Sequence, residues 1–338
     1  MNNFTSSKNV FSAQVQISPE DFSPISIDER KDLEKLSEPT TFWKDAWRRL
    51  KNNKIAIIAM FVLLFIILMA IVVPWFSPYE YDEQIRGAES LGPSLKHPFG
   101  TDSFGRDLFV RTMVGCRISL AIGLLASIMV LIIGSIYGAV SGLCGGIVDN
   151  IMMRFVELIY SVPEILIIII IKLVITDPLS TLFQSSKIFK PLQAIGSGVI
   201  AIFIVYGLLY WVSMARIIRG QVLQLKKNEY INAAVALGAN KRRLIIKHLL
   251  PNCIGQIIVT TALQIPSAIF TESFLSFLGL GVEVPMPSLG SLASSAIGSI
   301  SSYPYRLLFP ALLISIIILS FNLFADGLRD ALDPKMKR

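Results

Sequence analysis

The stretch Glu229-Tyr-Ile-Asn-Ala-Ala-Val-Ala-Leu-Gly-Ala-Asn-Lys-Arg-Arg-Leu-Ile-Ile-Lys-His-Leu-Leu-Pro-Asn252 is polar and basic, yet it lies between two long apolar blocks of the sequence. Because charged side chains are costly in a membrane core, this stretch is predicted to be a loop that joins two spans outside the membrane. Gly238 suits a left-handed cap at the end of a first short helix, and Asn240 suits the cap of a second. Pro251 and Asn252 are predicted to mark the end of that second helix.

Six apolar blocks divide the chain, which is 53% hydrophobic and 16% charged. Each is close to the roughly 20 residues that a helix needs to cross about 30 Å of hydrocarbon. They are Ile55–Val73, Ile118–Val148, Leu158–Ile175, Leu192–Ala215, Leu249–Thr271 and Leu307–Ala325. We therefore predict an all-α integral membrane protein with six transmembrane helices. The net charge of +7 is concentrated at the borders of the blocks, which favours contact with a lipid bilayer and no nucleic-acid partner.

The lysines and arginines predict the orientation, because cytoplasmic loops carry an excess of them. They are dense before the first block, in the 229–252 loop and in the last residues of the chain. They are sparse between the third and fourth blocks and between the last two. This pattern places both termini and the 229–252 loop in the cytoplasm. The exception is the predicted external loop 77–117, which carries five cations: Arg86, Lys96, Arg106, Arg111 and Arg117.

The two ends of the chain differ from the spans in composition. Residues 1–40 are polar with few aliphatic side chains, and we expect a disordered cytoplasmic tail. Apolar residues then recur at helical spacing among basic ones, namely Phe42, Trp43, Ala46, Trp47 and Leu50. This predicts an N-terminal interfacial helix that leads into the first span within residues 41–76. Residues 328–338 are predicted to be a second cytoplasmic tail.

The segment before the second block reads His97-Pro-Phe-Gly-Thr-Asp-Ser-Phe-Gly-Arg-Asp-Leu-Phe-Val-Arg111. Its glycines favour turns, and its charged side chains can pair with one another or with loop carbonyls. The residues predicted to shape this external loop are His97, Gly100, Asp102, Gly105, Arg106, Asp107 and Arg111. A metal or acid–base role for His97 and Asp102 is the alternative, but no third ligand lies near them in sequence, which favours the structural role.

Both segments resemble parts of one protein family. The order of Ala233-Ala234, Gly238, a basic helix and Leu250-Pro251 is similar to the cytoplasmic coupling loop of ABC importer permeases. The His97–Arg111 segment is similar to the signature of C-type permease subunits in oligopeptide and dipeptide importers, which nickel permeases share. The resemblance covers roughly residues 40–335. It continues through Gly115–Leu120, Asp149, Met153-Arg154, Pro163, Ser276–Gly281 and Leu332–Pro334.

This resemblance implies that residues 118–327, with the last five spans, form the permease core of a type I ABC importer. A second homologous permease would complete the path, two ABC ATPase subunits would bind below, and an extracellular peptide-binding protein would deliver a peptide. The chain would lie in the plasma membrane of a prokaryote and bind no cofactor, with ATP and magnesium on the ATPases. It contains no G-x-x-x-x-G-K-[ST] phosphate-binding sequence, which agrees with a non-catalytic transport subunit.

The coupling residues that the resemblance implies are Glu229, Asn232, Ala233, Ala234, Gly238, Leu250 and Pro251. The family usually has glutamate where Asn232 stands. Glu229 lies three positions earlier, and a helix would place both on one face, so Glu229 is expected to supply a similar contact.

Polar residues and glycines inside the spans are further candidates. Gln264 and Glu272 are predicted to line a path. Glu164 and Lys172, two helical turns apart, are weaker path-lining candidates. Glu164 is favoured instead to cap polar groups that Pro163 frees, and Lys172 to snorkel outward. Close helix packing is predicted for the glycines that fall near one stripe of the second span, Gly123, Gly134, Gly138 and Gly142.

Other functions stay open at this stage. A nickel chelate is the alternative cargo, although nickel prefers nitrogen and sulfur ligands and the only histidines, His97 and His248, lie in loops. An intramembrane enzyme is disfavoured, because the spans show no nucleophile–base set or metal-ligand cluster. A membrane scaffold is disfavoured too, since anchoring does not require a basic two-helix loop.

The orientation can be tested by labelling. Single cysteines placed at Ser94 and Ser301 should react with an impermeant thiol reagent in intact cells, whereas one at Asn228 should react only after lysis. Labelling of the Asn228 position from outside would overturn the predicted orientation.

Overall fold

The computed structural model describes residues 41–185, 196–282 and 285–332. Its helices are α1 (Phe42–Asn52), α2 (Lys54–Phe76), α3 (Leu108–Cys144), α4 (Gly146–Ser161), α5 (Glu164–Ser185), α6 (Ser197–Leu209), α7 (Trp211–Leu225), α8 (Glu229–Ala236), α9 (Ile254–Phe277), α10 (Leu289–Ala296) and α11 (Tyr305–Leu332). Short helical turns lie at Lys241–Arg243, Leu244–Leu249, Pro251–Cys253 and Ile297–Ser299. The predicted tail 1–40 and the end of the second tail, 333–338, lie outside the described residues.

Within the described part of the chain, six helical segments are long and apolar enough to cross a membrane. They are Lys54–Phe76, Leu108–Cys144, Ile165–Phe183, Ser197–Leu225, Lys241–Phe277 and Tyr305–Leu332. The predicted all-α architecture with six spans is therefore confirmed. The bounds differ from the predicted ones where caps and prolines do not coincide with the edges of the apolar blocks.

The second span begins earlier than its apolar block. Asp107 caps α3, because its carboxylate accepts the backbone N–H of Val110 at 2.9 Å. Arg111 then lies inside the helix and is 5% exposed, since its guanidinium donates to the Tyr81 carbonyl at 2.7 Å. The helix ends where Gly145 takes a positive φ of 65°. The helix can thus begin before its apolar block, because the preceding loop supplies a hydrogen-bond acceptor for Arg111.

The third predicted span, Leu158–Ile175, is wrong at its start. Pro163 disfavours helical geometry at the residue before it, and Val162 is extended, with φ −94° and ψ 138°. The chain therefore breaks between α4 and α5. Both sides of the break are apolar, so hydrophobicity alone does not reveal it. The side chain of Glu164 lies outside the described residues, and with it the predicted capping role.

The prediction that Lys172 snorkels outward is also wrong. Lys172 is only 4% exposed, and its Nζ donates to the carbonyl of Gly281 at 2.8 Å. A backbone oxygen of the turn after α9 thus takes the place of water as an acceptor for the ammonium group.

Pro251 does not end the second helix of the 229–252 loop. A π-helical turn covers Leu244–Leu249, and the next N–H, that of Leu250, donates to Ile245 at 2.9 Å. Pro251, which has no N–H to donate, opens a 3-10 turn that continues into α9. The predicted stop is therefore a junction inside one helical segment, Lys241–Phe277.

The centre of the fold is the contact between α3 and α7, where glycines bring the two backbones together. A Cβ atom at Gly134 would lie 2.6 Å from the Cβ of Met214. One at Gly138 would overlap the carbonyl of Ala215 and lie 3.0 Å from the nitrogen of Arg219. The other glycines of the stripe, Gly123 and Gly142, abut Ile269 of α9 and Val222 of α7. The whole stripe therefore packs against helices, as small residues do in membrane proteins.

The first two helices are joined at Asn53, which caps α2 by accepting the N–H of Ala56 at 3.1 Å. Ala46 and Leu50 of α1 are buried, whereas Trp47 is half exposed. The helical spacing predicted for this segment is confirmed. Its location at the membrane surface stays a prediction.

Candidate functional site

The 229–252 loop folds into two helical parts that meet at Gly238. This residue takes a φ of +84°, and its N–H donates to the Val235 carbonyl at 2.9 Å. The N–H of Ala239 then closes a wider turn by donating to Ala234 at 3.0 Å. Asn240 starts the second part, because its side chain accepts the N–H of Arg243 at 2.8 Å. Gly238 and Asn240 thus occupy the cap positions predicted for them.

The loop has one face anchored in the helix bundle and another that is exposed. Ile231, Leu244 and Leu249 are buried in a cluster with residues of α3 and α7. Large apolar side chains are exposed on the same loop: Tyr230 at 41%, Val235 at 53%, Leu237 at 89% and Ile246 at 53%. Exposed apolar groups on a fixed support are typical of a surface that binds another protein. Sequence reasoning missed these four residues, although large apolar side chains in a basic loop were the available signal.

The other predicted coupling residues belong to the same loop, and most of them are exposed. Glu229, Asn232 and Ala233 are exposed in α8, and Ala234 is half-buried. Pro251 is exposed, while Leu250 is half-buried against the cluster that anchors the loop. Most of the residues predicted for coupling are therefore accessible on this loop, and their role in coupling stays a prediction.

Two polar pairs fix the loop that precedes α3. Nδ1 of His97 lies 2.7 Å from the Asp107 carboxylate, and both side chains are buried. Asp102 instead accepts the Nε–H of Arg106 at 2.6 Å, while its other oxygen accepts the N–H of Phe104 at 2.8 Å. His97 and Asp102 thus have different partners, and they do not form the pair considered as the alternative.

Glycine is required at two turns of the same loop. Gly100 and Gly105 take φ values of +78° and +74°. A Cβ at Gly105 would overlap the Ile85 carbonyl, and one at Gly100 would lie 2.7 Å from the ring of Tyr305. Both positions combine a left-handed backbone with a close approach of another group, which leaves room for hydrogen only.

The start of α11 holds this loop in place. The Tyr305 hydroxyl donates to the Leu91 carbonyl at 2.8 Å, and Arg306 donates to the Ser90 hydroxyl at 2.7 Å. These contacts join segments that are far apart in the chain at one end of the bundle. Sequence reasoning missed both α11 residues, although Arg306 is the only lysine or arginine between the last two apolar blocks.

A cavity of about 660 Å³ lies between the α4–α5 break, the α6–α7 junction and α9. Its polar lining includes Tyr160, Ser161, Tyr210, Ser213, Gln264, Ser267 and Thr271. Phe270 and Phe274 of α9 contribute aromatic walls. Hydroxyl, amide and aromatic groups together can contact both the backbone and the apolar side chains of a passing molecule.

Glu272, predicted to line a path together with Gln264, is placed elsewhere. It is fully buried, and its two carboxylate oxygens accept the hydroxyls of Ser119 and Ser276, each at 2.7 Å. Those hydroxyls in turn accept the N–H groups of Leu289 at 3.4 Å and Val282 at 3.2 Å. Glu272 therefore ties α3, α9 and the start of α10 together, because a buried carboxylate requires hydrogen-bond donors around it.

Known proteins match nearly the whole chain. Residues 131–338 match the family described as binding-protein-dependent transport system inner membrane component. Residues 41–93 match the N-terminal transmembrane domain of oligopeptide transport permease C.

Individual relatives agree with these matches. The chain is 44% identical to the oligopeptide transport system permease protein OppC of Bacillus subtilis over 91% of this chain and 94% of that protein. It is 42% identical to the dipeptide permease DppC of the same species over 95% of this chain and 94% of that protein. It is also 42% identical to OppC of Escherichia coli K12 over 89% and 94% of the two chains. The chain therefore belongs to the family of binding-protein-dependent transport system inner membrane components.

Proposed function

We propose that this chain is one permease subunit of an ATP-driven ABC importer that takes up peptides. The observation that carries the proposal is the 229–252 loop, which is anchored through buried side chains and presents exposed apolar ones. Such a surface fits a cleft on a partner protein. The proposed partners there are two ABC ATPase subunits, one on each permease, which bind ATP and magnesium while this chain performs no covalent chemistry.

The cavity supports a path shared with a second permease. Large side chains of its lining are exposed, including Tyr160 at 67%, Ile165 at 50% and Phe270 at 58%. In the third span, Ile165–Phe183, only Ile168, Lys172 and Phe183 are buried within this chain. A homologous permease packed on this side would cover these side chains and complete the walls.

The proposed orientation follows from the charge pattern. Both termini and the 229–252 loop face the cytoplasm of a prokaryotic cell, where the ATPases are. The loop fixed by His97, Asp102 and Asp107 then faces outward, together with the start of α11. An extracellular peptide-binding protein would dock at this end and deliver its peptide to the path.

Peptide is favoured over a nickel chelate as the cargo. The relatives compared above are named as oligopeptide or dipeptide permeases. The imidazole of His97 is hydrogen-bonded to Asp107, and His248 lies in the basic loop. Neither histidine is part of the cavity lining. The polar groups of the cavity are hydroxyls and an amide, which suit the varied side chains of peptides better than they suit nickel.

The proposed role of the 229–252 loop in coupling can be tested with Gly238→Pro. Proline cannot adopt the φ of +84° found here, and it removes the N–H that donates to Val235. Nothing lies within 4 Å of a Cβ at this position, so the bundle should still fold and insert. We expect both uptake and substrate-stimulated ATPase activity to collapse in the reconstituted complex.

Gly238→Ala serves as the matched control. It keeps the N–H and adds only the left-handed strain of roughly 1–2 kcal/mol, so it should retain much of the activity. Transport near the wild-type rate in Gly238→Pro would show that the loop is merely a connector.

The cargo can be tested by growth. Deleting the gene should abolish growth on a peptide that supplies an essential amino acid, while the free amino acid restores it. Unaffected peptide use together with reduced nickel accumulation would refute the peptide assignment.

A further inference from the structure

A two-point ion pair connects α4 to α7. Nε and a terminal nitrogen of Arg219 donate to the two carboxylate oxygens of Asp149, each at 2.6 Å. The Ser141 hydroxyl also donates to Asp149, from the last turn of α3. The hydrogen bond from Arg219 holds the pKa of Asp149 below its ordinary value, against the opposing effect of burial. The pair is therefore ionised and fixed in direction, as bidentate arginine–carboxylate contacts are.

The helix that carries Asp149 lies between two breaks in the chain. At its start, Gly145 and Gly146 both take positive φ values, 65° and 56°, and open space surrounds Gly146. At its end, the chain leaves the helix at Val162-Pro163. Both breaks are points where backbone torsions can change without disturbing a helix interior. Helix α4 is therefore a separate unit between two breaks, and Ser161 at its end, with Val162 and Pro163 just beyond, lines the cavity.

The helix that carries Arg219 leads into the 229–252 loop, which is the proposed coupling loop. Helix α7 ends at Leu225, and α8 begins at Glu229. Lys226 between them donates to the Leu143 carbonyl at 2.7 Å, which fixes the end of α7 to the end of α3. A displacement of the loop therefore reaches Arg219 along a continuous helix.

We propose that Asp149 and Arg219 are a positioning pair that makes α4 follow α7, so that movement of the coupling loop shifts the wall of the cavity at Ser161–Pro163. Apolar contacts of Val156 with Trp211, Val212 and Ala215 support the middle of α4. Near its cavity end, α4 also contacts α7 through Arg216, whose guanidinium lies 4.2 Å from the centre of the Tyr160 ring. The ion pair adds a directional connection at the opposite end of α4, near the 229–252 loop. This inference rests on the proposed function, since the motion originates in the ATPase partners.

The exposed pair on the same helix provides a matched control. Arg154 donates to Glu157 at 3.0 Å, and their side chains are 82% and 61% exposed. An exposed pair of this kind contributes little to stability. Removing it changes the charge of α4 without changing its connection to α7.

The test measures access to the cavity wall in the assembled complex. Ser161→Cys is introduced with Cys116, Cys144 and Cys253 replaced by alanine, and its maleimide labelling rate is compared without nucleotide and after ATP–vanadate trapping. With the pair intact, trapping should change the rate by at least about fivefold, the lower end of ordinary site–site coupling. Asp149→Asn should remove most of this change, whereas Asp149→Glu and Arg154→Gln should retain it.

A second variant, Arg219→Lys, keeps the charge but loses the two-point contact. It should also reduce the effect of trapping on the labelling rate, and it replaces Asp149→Asn if that variant does not assemble. The proposal is overturned if either uncoupling variant responds to trapping like the intact pair, or if the intact pair shows no response. Because labelling needs no peptide, its result is independent of the growth test that decides the cargo.

Discussion

Helices α3 and α7 touch backbone to backbone, and most of the functional geometry depends on this contact. Lipid does not drive apolar helices together, so close packing in a membrane requires residues small enough for dispersion contacts between main chains. Gly134, Gly138 and Gly142 provide that space along α3. Because α7 is held this closely, Arg219 reaches Asp149, and Lys226 reaches the last turn of α3. The loop that follows α7 is thereby supported by the centre of the bundle.

The two ends of the bundle are built differently. At the end of the 77–107 loop, Asp107 caps α3 and bonds His97, while Tyr305 and Arg306 fasten the loop to α11. Gly100 and Gly105 approach neighbouring groups closely, so this end has little room for a change of conformation. At the opposite end, Gly238 lies in open space and Leu237 is 89% exposed. A fixed surface for delivery of substrate and an accessible surface for a moving partner match the two roles proposed for these ends.

Much of the fold could be predicted from the sequence, because apolar length determines where helices cross a membrane and glycine has few substitutes at positive φ. The six spans and the caps at Gly238 and Asn240 depend on such local rules. The break at Pro163 was missed because apolar residues flank it on both sides. The positions of Lys172 and Glu272 could not be predicted, since their partners Gly281 and Ser119 come from distant segments. The exposure of Leu237 depends on which face of the loop the bundle buries, which is a tertiary property as well.

The central claim, that contact between α3 and α7 supports the coupling loop, is tested most directly by comparing Gly138→Ala with Gly220→Ala in the reconstituted complex. A Cβ at Gly138 meets the backbone of α7, whereas one at Gly220, on α7 itself, meets nothing within 4 Å. The account predicts that Gly138→Ala lowers the melting temperature, in line with an overpacking cost of about 1–3 kcal/mol, and reduces peptide uptake. Gly220→Ala should leave both unchanged. Equal tolerance of the two substitutions would contradict the account.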